Sequence, residues 1–311
     1  YCYRKVQDLM RGMGFTDTNQ EWPSGVTHGR IWDIGATWKD IHVAPDTYVW
    51  DRLDEVVAKM EANGITNILY VIGATPLWAA RDPEAPHYAP WLGPGSNSLP
   101  GDPDNSWKPF VWNLSDRYKG RIHAYEVWNE CQLPDFMYPW DSKNRKDLAK
   151  MTDDCVRIIK GNDPKALVGA CSILPRETSG GLKKAEKFLI ELSKRKNWGG
   201  VDFFAAHLYP EGSTKQASQW IDYFDDTKAL LKKLKAPKNS GKSSSTIWVT
   251  ETALGLLSGG ITEEKVEQYT AKIADRGAGH VYWYAYDRED LGGAWIGPGT
   301  YMMDAIEKYW K

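Results

Sequence analysis

The sequence has no apolar run approaching the roughly 20 residues that a membrane-spanning helix needs. It also has no surplus of either charge, since 39 basic residues stand against 41 acidic ones. The first absence excludes a spanning segment within these residues. The second removes the electrostatic case for nucleic acid or an anionic membrane as a partner.

Cysteine is scarce: Cys2, Cys131, Cys155 and Cys171 are the full set. Their spacing fits no zinc motif, and four thiols allow three pairings between which sequence does not choose. The six histidines, at 28, 42, 87, 123, 207 and 280, form no clustered ligand pattern. Neither a metal nor an organic cofactor is therefore expected. The Arg11–Gly14 stretch has glycines but no G-x-G-x-x-G, so it is no dinucleotide fingerprint. There is no internal repeat and no low-complexity linker, and the polar run 236–245 is read as a loop. The chain starts at Tyr1 rather than Met, as a processed product would, and Asn113-Leu114-Ser115 is a glycosylation sequon. Both fit a secreted or extracellular protein.

Aromatic residues, by contrast, are abundant: 16 Trp and 16 Tyr in 311 residues. Flat aromatic faces suit the C–H faces of sugar rings, so a carbohydrate is the expected partner, bound by a monomer. Trp78, Trp91, Trp107, Trp140 and Trp295 are candidates for sugar subsites. The competing reading of each is core filling.

Short apolar strands alternate with helical stretches, which argues for a parallel α/β fold. Eight strands are expected, at about 12–16, 29–34, 67–73, 122–129, 167–173, 202–208, 246–251 and 279–286. Helices are expected at 51–63, 147–160, 182–195, 218–234, 263–276 and 301–310. In the first of these Leu53, Val56, Val57 and Met60 share one face, and Asn63-Gly64 stops it. Eight strand–helix units predict a closed (β/α)8 TIM barrel over residues 1–311, as one domain without an accessory β-sandwich. The Pro-, Gly- and Trp-rich segment 79–112 follows the third strand and should lie over the barrel mouth.

Two of the expected strands end in glutamate. The fourth runs Ile122-His123-Ala124-Tyr125-Glu126-Val127-Trp128-Asn129-Glu130, and alternation places Glu126, Trp128 and Glu130 on one face. The seventh runs Thr246-Ile247-Trp248-Val249-Thr250-Glu251, with Ile247, Val249 and Glu251 on one face. Carboxylates at strand ends are costly to desolvate unless they have partners or a task. Two that face each other suit glycosidic cleavage, one protonated to assist the leaving oxygen and one ionised to attack.

The neighbours of these glutamates are distinctive. Tyr125-Glu126-Val127-Trp128-Asn129-Glu130 resembles the acid/base strand of clan A glycoside hydrolases, and Trp248-Val249-Thr250-Glu251-Thr252 resembles their nucleophile strand. Gly29-Arg30-Ile31-Trp32-Asp33, Trp38, Tyr48-Val49-Trp50-Asp51-Arg52-Leu53-Asp54 and Ile72-Gly73-Ala74-Thr75-Pro76-Leu77-Trp78-Ala79 narrow the resemblance to glycoside hydrolase family 39 and its single-barrel relatives. The likeness runs from about Gly25 to Trp283.

The resemblance implies a retaining O-glycosidase acting on β-linked glycans through a covalent glycosyl-enzyme. Glu130 would be the acid/base and Glu251 the nucleophile. Asn129 would bond the sugar 2-hydroxyl, Arg30 would keep Glu251 ionised, His207 and Tyr209 would orient the nucleophile or substrate, and Trp283 would floor the subsite. Cys131 departs from the family's usual proline and raises the expectation of a disulfide, most simply with Cys171. The first strand lacks the histidines its relatives often carry there. No residues remain after the eighth unit for the accessory domain of the family's xylosidases, which favours endo action. The alternatives are an exo-acting β-xylosidase- or arabinosidase-like enzyme, a barrel that binds carbohydrate without cleaving it, and a metal-dependent barrel hydrolase or lyase.

Overall fold

Strands that read as continuous apolar runs must be covered on both faces, which parallel sheets wrapped by helices achieve. The structure, a computed structural model, describes residues 11–86, 89–175, 181–209, 217–238, 246–253, 271–273, 275–286, 303 and 307. In chain order its strands are β1 (Gly12–Phe15), β2 (His28–Ile31), β3 (His42–Ala44), β4 (Thr47–Tyr48), β5 (Asn67–Ile72), β6 (Ala124–Val127), β7 (Leu167–Ile173), β8 (Phe203–Leu208), β9 (Ile247–Thr252) and β10 (Val281–Tyr286). Eight of them pair in parallel and close into a barrel in the order β1-β10-β9-β8-β7-β6-β5-β2. All eight expected strands are present. The antiparallel hairpin β3–β4, outside the barrel, was not foreseen.

Helices Asp51–Ala62, Ser142–Asn162, Gly181–Ser193 and Ala217–Lys233 match expected ones. Those expected at 263–276 and 301–310 fall largely outside the described residues. Helix Trp107–Arg117, which begins inside the Pro-, Gly- and Trp-rich segment 79–112, was not foreseen. Its Pro109 lies in the first turn, where a missing N–H costs nothing. The helix buries Trp107, Phe110, Val111 and Leu114. No helix among the described residues is long and apolar enough to cross a membrane.

The core has two layers. Tyr70, Ile72, Tyr125, Val127, Phe204, Ile247, Val249, Val281 and Trp283 face outward into the layer shared with the helices. Leu69, Ala124, Phe203, Ala205, Trp248 and Tyr282 fill the barrel itself, as side chains do in TIM barrels. On β1, Met13 and Phe15 pack outward, while Gly12 and Gly14 present no side chain to the interior. That space is taken by tyrosines: a Cβ on Gly12 would meet the Tyr282 ring at 2.9 Å, and one on Gly14 would lie 3.6 Å from the Tyr284 ring.

Gly12 is also clamped against backbone, since a Cβ there would sit 2.3 Å from the Val281 carbonyl oxygen. Gly12→Ala should therefore destabilise the protein by about 1–3 kcal/mol, the range for overpacking. Thermal and urea unfolding would read this, and unchanged stability would show that β1 is not pressed against β10.

Candidate active site

The C-terminal mouth of the barrel gathers polar side chains that a close-packed core would otherwise reject. Arg30 on β2 is nearly fully buried. It spans the barrel, donating from Nη1 to Glu251 Oε1 at 2.6 Å, from Nη2 to Asn129 Oδ1 at 2.8 Å and from Nη2 to Glu126 Oε1 at 3.3 Å. Burial opposes its charge, but Glu126 and Glu251 outweigh that and raise its pKa. Glu126 lies inward on β6, fully buried beneath the mouth.

Simple alternation does not deliver the two glutamates. On β9, Val249 and Ile247 face the helices, so alternation would turn Glu251 outward with them. An extra residue intervenes instead: Ala206 pairs with Val249 but His207 with Glu251 on one side, and Val281 pairs with Val249 but Trp283 with Thr252 on the other. This bulge re-aims Glu251 into the mouth, a common use of bulges beside functional sites. The Thr250 hydroxyl is buried there without a partner among the described residues.

After β6 the correction is of another kind. Trp128 does not share the face of Glu126. It packs outward, with its indole Nε1 donating to the Phe136 carbonyl at 2.8 Å. Trp128 (φ 72°) and Glu130 (φ 38°) both adopt left-handed backbone, which is costly for residues with a Cβ. The strained turn directs Asn129 and Glu130 inward together. The end of β7 holds it: the Glu130 N–H donates to Ser172 Oγ at 3.0 Å and the Cys131 N–H to Cys171 Sγ at 3.4 Å. A proline at 131 has no N–H to make that second contact. The disulfide expected between Cys131 and Cys171 is not formed. Both are free, buried thiols, and burial pushes the Cys171 thiol well above its ordinary pKa.

His207, inward on β8, sits between the two glutamates. Its Nδ1 is 2.7 Å from Glu130 Oε1 and 3.3 Å from Glu251 Oε2. Its Nε2 is 3.4 Å from Arg30 Nη2. A guanidinium only donates, so Nε2 accepts and the ring proton resides on Nδ1, facing the carboxyls. Burial lowers the His207 pKa to about 4, against the pull of Glu251. Tyr209 donates from its hydroxyl to Glu251 Oε2 at 2.6 Å; burial and the nearby Glu251 keep that phenol protonated. Burial raises the Glu251 pKa, with Glu130 and Asp33 adding to the rise, while His207 and Arg30 work against it. Ligand atoms of Glu130, His207 and Glu251 all lie within 4.8 Å of one another.

These three residues are also the only group among the described residues that could converge on a metal ion. Both Glu251 oxygens, however, already accept short hydrogen bonds from Arg30 and Tyr209. A second cation beside the guanidinium would meet its repulsion.

The structure thus brings Glu130, Glu251, Arg30, Asn129, His207 and Tyr209 into one cluster. It does not bring Trp283 or Trp78 there. Trp283 is buried in the layer facing the helices, because β10 parity gives the interior to Tyr282 and Tyr284. Trp78 packs edge-on against His42 and donates its indole N–H to the His42 carbonyl. Of the other tryptophans, Trp107 is wholly buried against Trp38, Trp140 carries Arg145 over its ring, and Trp295 lies outside the described residues. Trp91 is 68% exposed on a short turn whose neighbours Ala89 and Leu92 pack on Trp32 at the mouth. Tyr284, which donates to Asp33 Oδ2 at 2.6 Å, was missed; the only sequence signal was Gly14 in the facing strand.

Fold and site together describe a barrel with paired carboxyls at the mouth where barrel enzymes do their chemistry. No family model matches the sequence, and no curated protein matches it. Solved structures do match in fold. The endo-β-1,4-mannanase from Thermotoga petrophila superposes with a TM-score of 0.63 at 17% identity, over 96% of this chain and 75% of that one. A GH39 enzyme from Xanthomonas axonopodis pv. citri gives 0.65 at 19%, over 96% and 61%. Xylanase XynB from Paenibacillus barcinonensis gives 0.61 at 14%, over 94% and 90%. The chain therefore spans 61% of the length of that GH39 enzyme, and what it shares with all three is the fold.

Two stability predictions follow from the buried charges. Arg30→Met should cost about 3–5 kcal/mol, because it strands two buried carboxylates; urea unfolding would measure it. His207 is neutral when folded, with its pKa lowered from 6.5 to about 4. Between those values the folded chain binds fewer protons than the unfolded one, so stability rises with pH. The contribution is complete above about pH 6.5 and is lost as pH falls through 4. At about 1.4 kcal/mol per unit this amounts to about 3 kcal/mol. His207→Gln should flatten that part of a pH series of urea midpoints. The raised Glu251 slopes the opposite way and persists in the variant, so an unchanged slope would refute the assignment.

Proposed function

We propose that this protein is a retaining O-glycoside hydrolase that cleaves β-linked glycans internally through a covalent glycosyl-enzyme. The observation that carries the proposal is a pair of close carboxyls at the barrel mouth, one of them held by a guanidinium and a phenol. Glu251 accepts from the Arg30 guanidinium and the Tyr209 phenol, each at 2.6 Å. Such charge-assisted bonds favour the ionised form and work against the burial that raises its pKa. On Glu130, the His207 N–H meets Oε1 at 2.7 Å. A proton on Glu130 then belongs on its other oxygen.

Their separation supports retention. A Glu130 oxygen and a Glu251 oxygen approach within 4.8 Å, which fits the roughly 5–5.5 Å of retaining pairs better than the roughly 6.5–9.5 Å of inverting ones. Glu251 would attack the anomeric carbon while Glu130 protonates the departing oxygen. Glu130 would then take a proton from the water that releases the sugar. Arg30 fixes Asn129 through its Oδ1, which leaves the amide NH2 to donate to the sugar 2-hydroxyl. The family resemblance of the two strands and the similar barrels, a mannanase and a xylanase, support a polysaccharide or oligosaccharide substrate.

Glu251→Ala should abolish hydrolysis, with azide restoring it as a product of inverted configuration. Glu130→Ala should lose about 10²–10⁴-fold on natural glycosides and much less on aryl glycosides with good leaving groups. A 2-deoxy-2-fluoro glycoside should label Glu251. Full activity in both variants would sink the proposal. NMR of the products from a glycan panel would give anomer and chain length, with monosaccharide alone pointing to exo action.

A further inference from the structure

Trp91 is the most exposed large apolar side chain among the described residues. An indole turned to water forgoes the burial that makes tryptophan stabilising. Its backbone is nonetheless tightly held. Trp91 is the middle residue of the turn Pro90–Leu92, which closes with the Leu92 N–H donating to the Ala89 carbonyl at 2.9 Å and the Gly93 N–H to the Pro90 carbonyl at 3.1 Å. Ser96 Oγ donates to the Gly93 carbonyl at 2.7 Å, and the Thr75 N–H, just past β5, donates to the Ser96 carbonyl at 3.0 Å. The Asn97 amide donates to the Pro86 and Pro134 carbonyls, each at 2.8 Å. The loop is thus tied to the end of β5 and to the segment after β6.

The bed beneath the turn belongs to the mouth. Ala89 and Leu92 pack with Trp32, Val71 and Ala74, and Phe136 joins them from the segment after β6. Trp32 lies two residues beyond Arg30, on the chain leaving β2. Its ring reaches the end of β5: a Cβ on Gly73 would stand 3.2 Å from the Trp32 ring and 3.7 Å from the Trp128 Cα. One wall therefore carries both the strained turn of Trp128 and Glu130 and the seat of Trp91. Trp91 stands on the rim formed by β2, β5 and β6, the side that bears Arg30, Asn129 and Glu130. A flat indole fixed there in advance loses little freedom when a ligand arrives, and the C–H faces of sugar rings stack on such a surface.

We propose that Trp91 is the stacking platform of an outer subsite, which takes one pyranose ring of a glycan chain running from the paired carboxyls along the rim of β2, β5 and β6. The proposal rests on the glycosidase reading for where the scissile bond lies, and it deepens that reading. The substrate is a chain long enough to reach the rim, and part of its affinity comes from a sugar that does not react. Contacts remote from the scissile bond favour long substrates over short ones in this way.

The test is calorimetric binding to the full chain carrying Glu251→Gln, which leaves ligands intact. The ligands are xylo-, manno- and cello-oligosaccharides of increasing length and the corresponding soluble polymers. In this parent, affinity should rise with chain length and then level off. Adding Trp91→Leu should flatten the rise, costing the longest ligands about tenfold more than the shortest. Trp91→Tyr keeps a flat aromatic face and should recover most of the loss. Trp112→Leu, on the outer helix Trp107–Arg117, should change nothing.

Equal losses for short and long ligands overturn the proposal, and so does no loss at all. Trp91→Tyr behaving as Trp91→Leu overturns it too, since stacking would then not be the cause. If the wild type cleaves glycans but Trp91→Leu leaves the length dependence intact, the hydrolase reading stands and the subsite falls. If the wild type cleaves no glycoside while the length dependence still rests on Trp91, the hydrolase reading fails and the subsite stands. Absence of any saccharide binding overturns both.

Discussion

The buried guanidinium of Arg30 is the interaction on which the rest of the mouth depends. A lone buried cation is prohibitive, and so are Glu126 and Glu251 without a counter-charge. Each is tolerable only because Arg30 reaches Glu251 on β9 and Glu126 and Asn129 at the end of β6. That reach crosses the barrel interior. The ion pairs therefore also fix how the far walls of the barrel stand relative to one another. Replacing such a network by apolar residues is often neutral or stabilising, so its presence is better explained by what it holds in place than by the stability it adds.

What it holds in place was partly legible in the sequence. Strand positions came from apolar runs, and the glutamates stood out as carboxylates at strand ends. Parity did not follow from alternation. Glu251 faces inward because β9 carries one residue more than its neighbours between Val249 and Glu251. Glu130 faces inward because Trp128 and Glu130 adopt left-handed backbone. Both devices are decided by pairing with adjacent strands, which a period-two reading of one strand cannot contain. The same limit misplaced Trp283. Its partner signal lay on β1, where two glycines yield the interior to Tyr282 and Tyr284, and only the closed barrel brings those strands together.

The tryptophans show the second limit. Composition alone made a sugar-binding rim attractive, yet Trp38, Trp107, Trp128 and Trp283 are among the largest fully buried side chains. Trp38 and Trp107 pack edge-to-face with centroids 5.0 Å apart, a geometry that adds to burial. An aromatic-rich barrel thus spends much of its tryptophan on the layer between sheet and helices. Exposure, which sequence does not report, separates Trp91 from this group.

The departure at Cys131 follows the same logic as the strained turn beside it. In place of the proline that the resemblance leads one to expect, this chain uses the N–H of Cys131 against Cys171 Sγ, next to the Glu130 N–H against Ser172 Oγ. Two adjacent N–H donors thereby anchor the turn to β7, whose own pairing with β8 shifts register between Ala170 and Ile173. The cost of left-handed backbone at Glu130 is met by contacts on the neighbouring strand. Placement of the Glu130 carboxyl is therefore a property of two strands acting together. Cys171 and Ser172, through the N–H groups of Cys131 and Glu130, set where that carboxyl stands in the mouth.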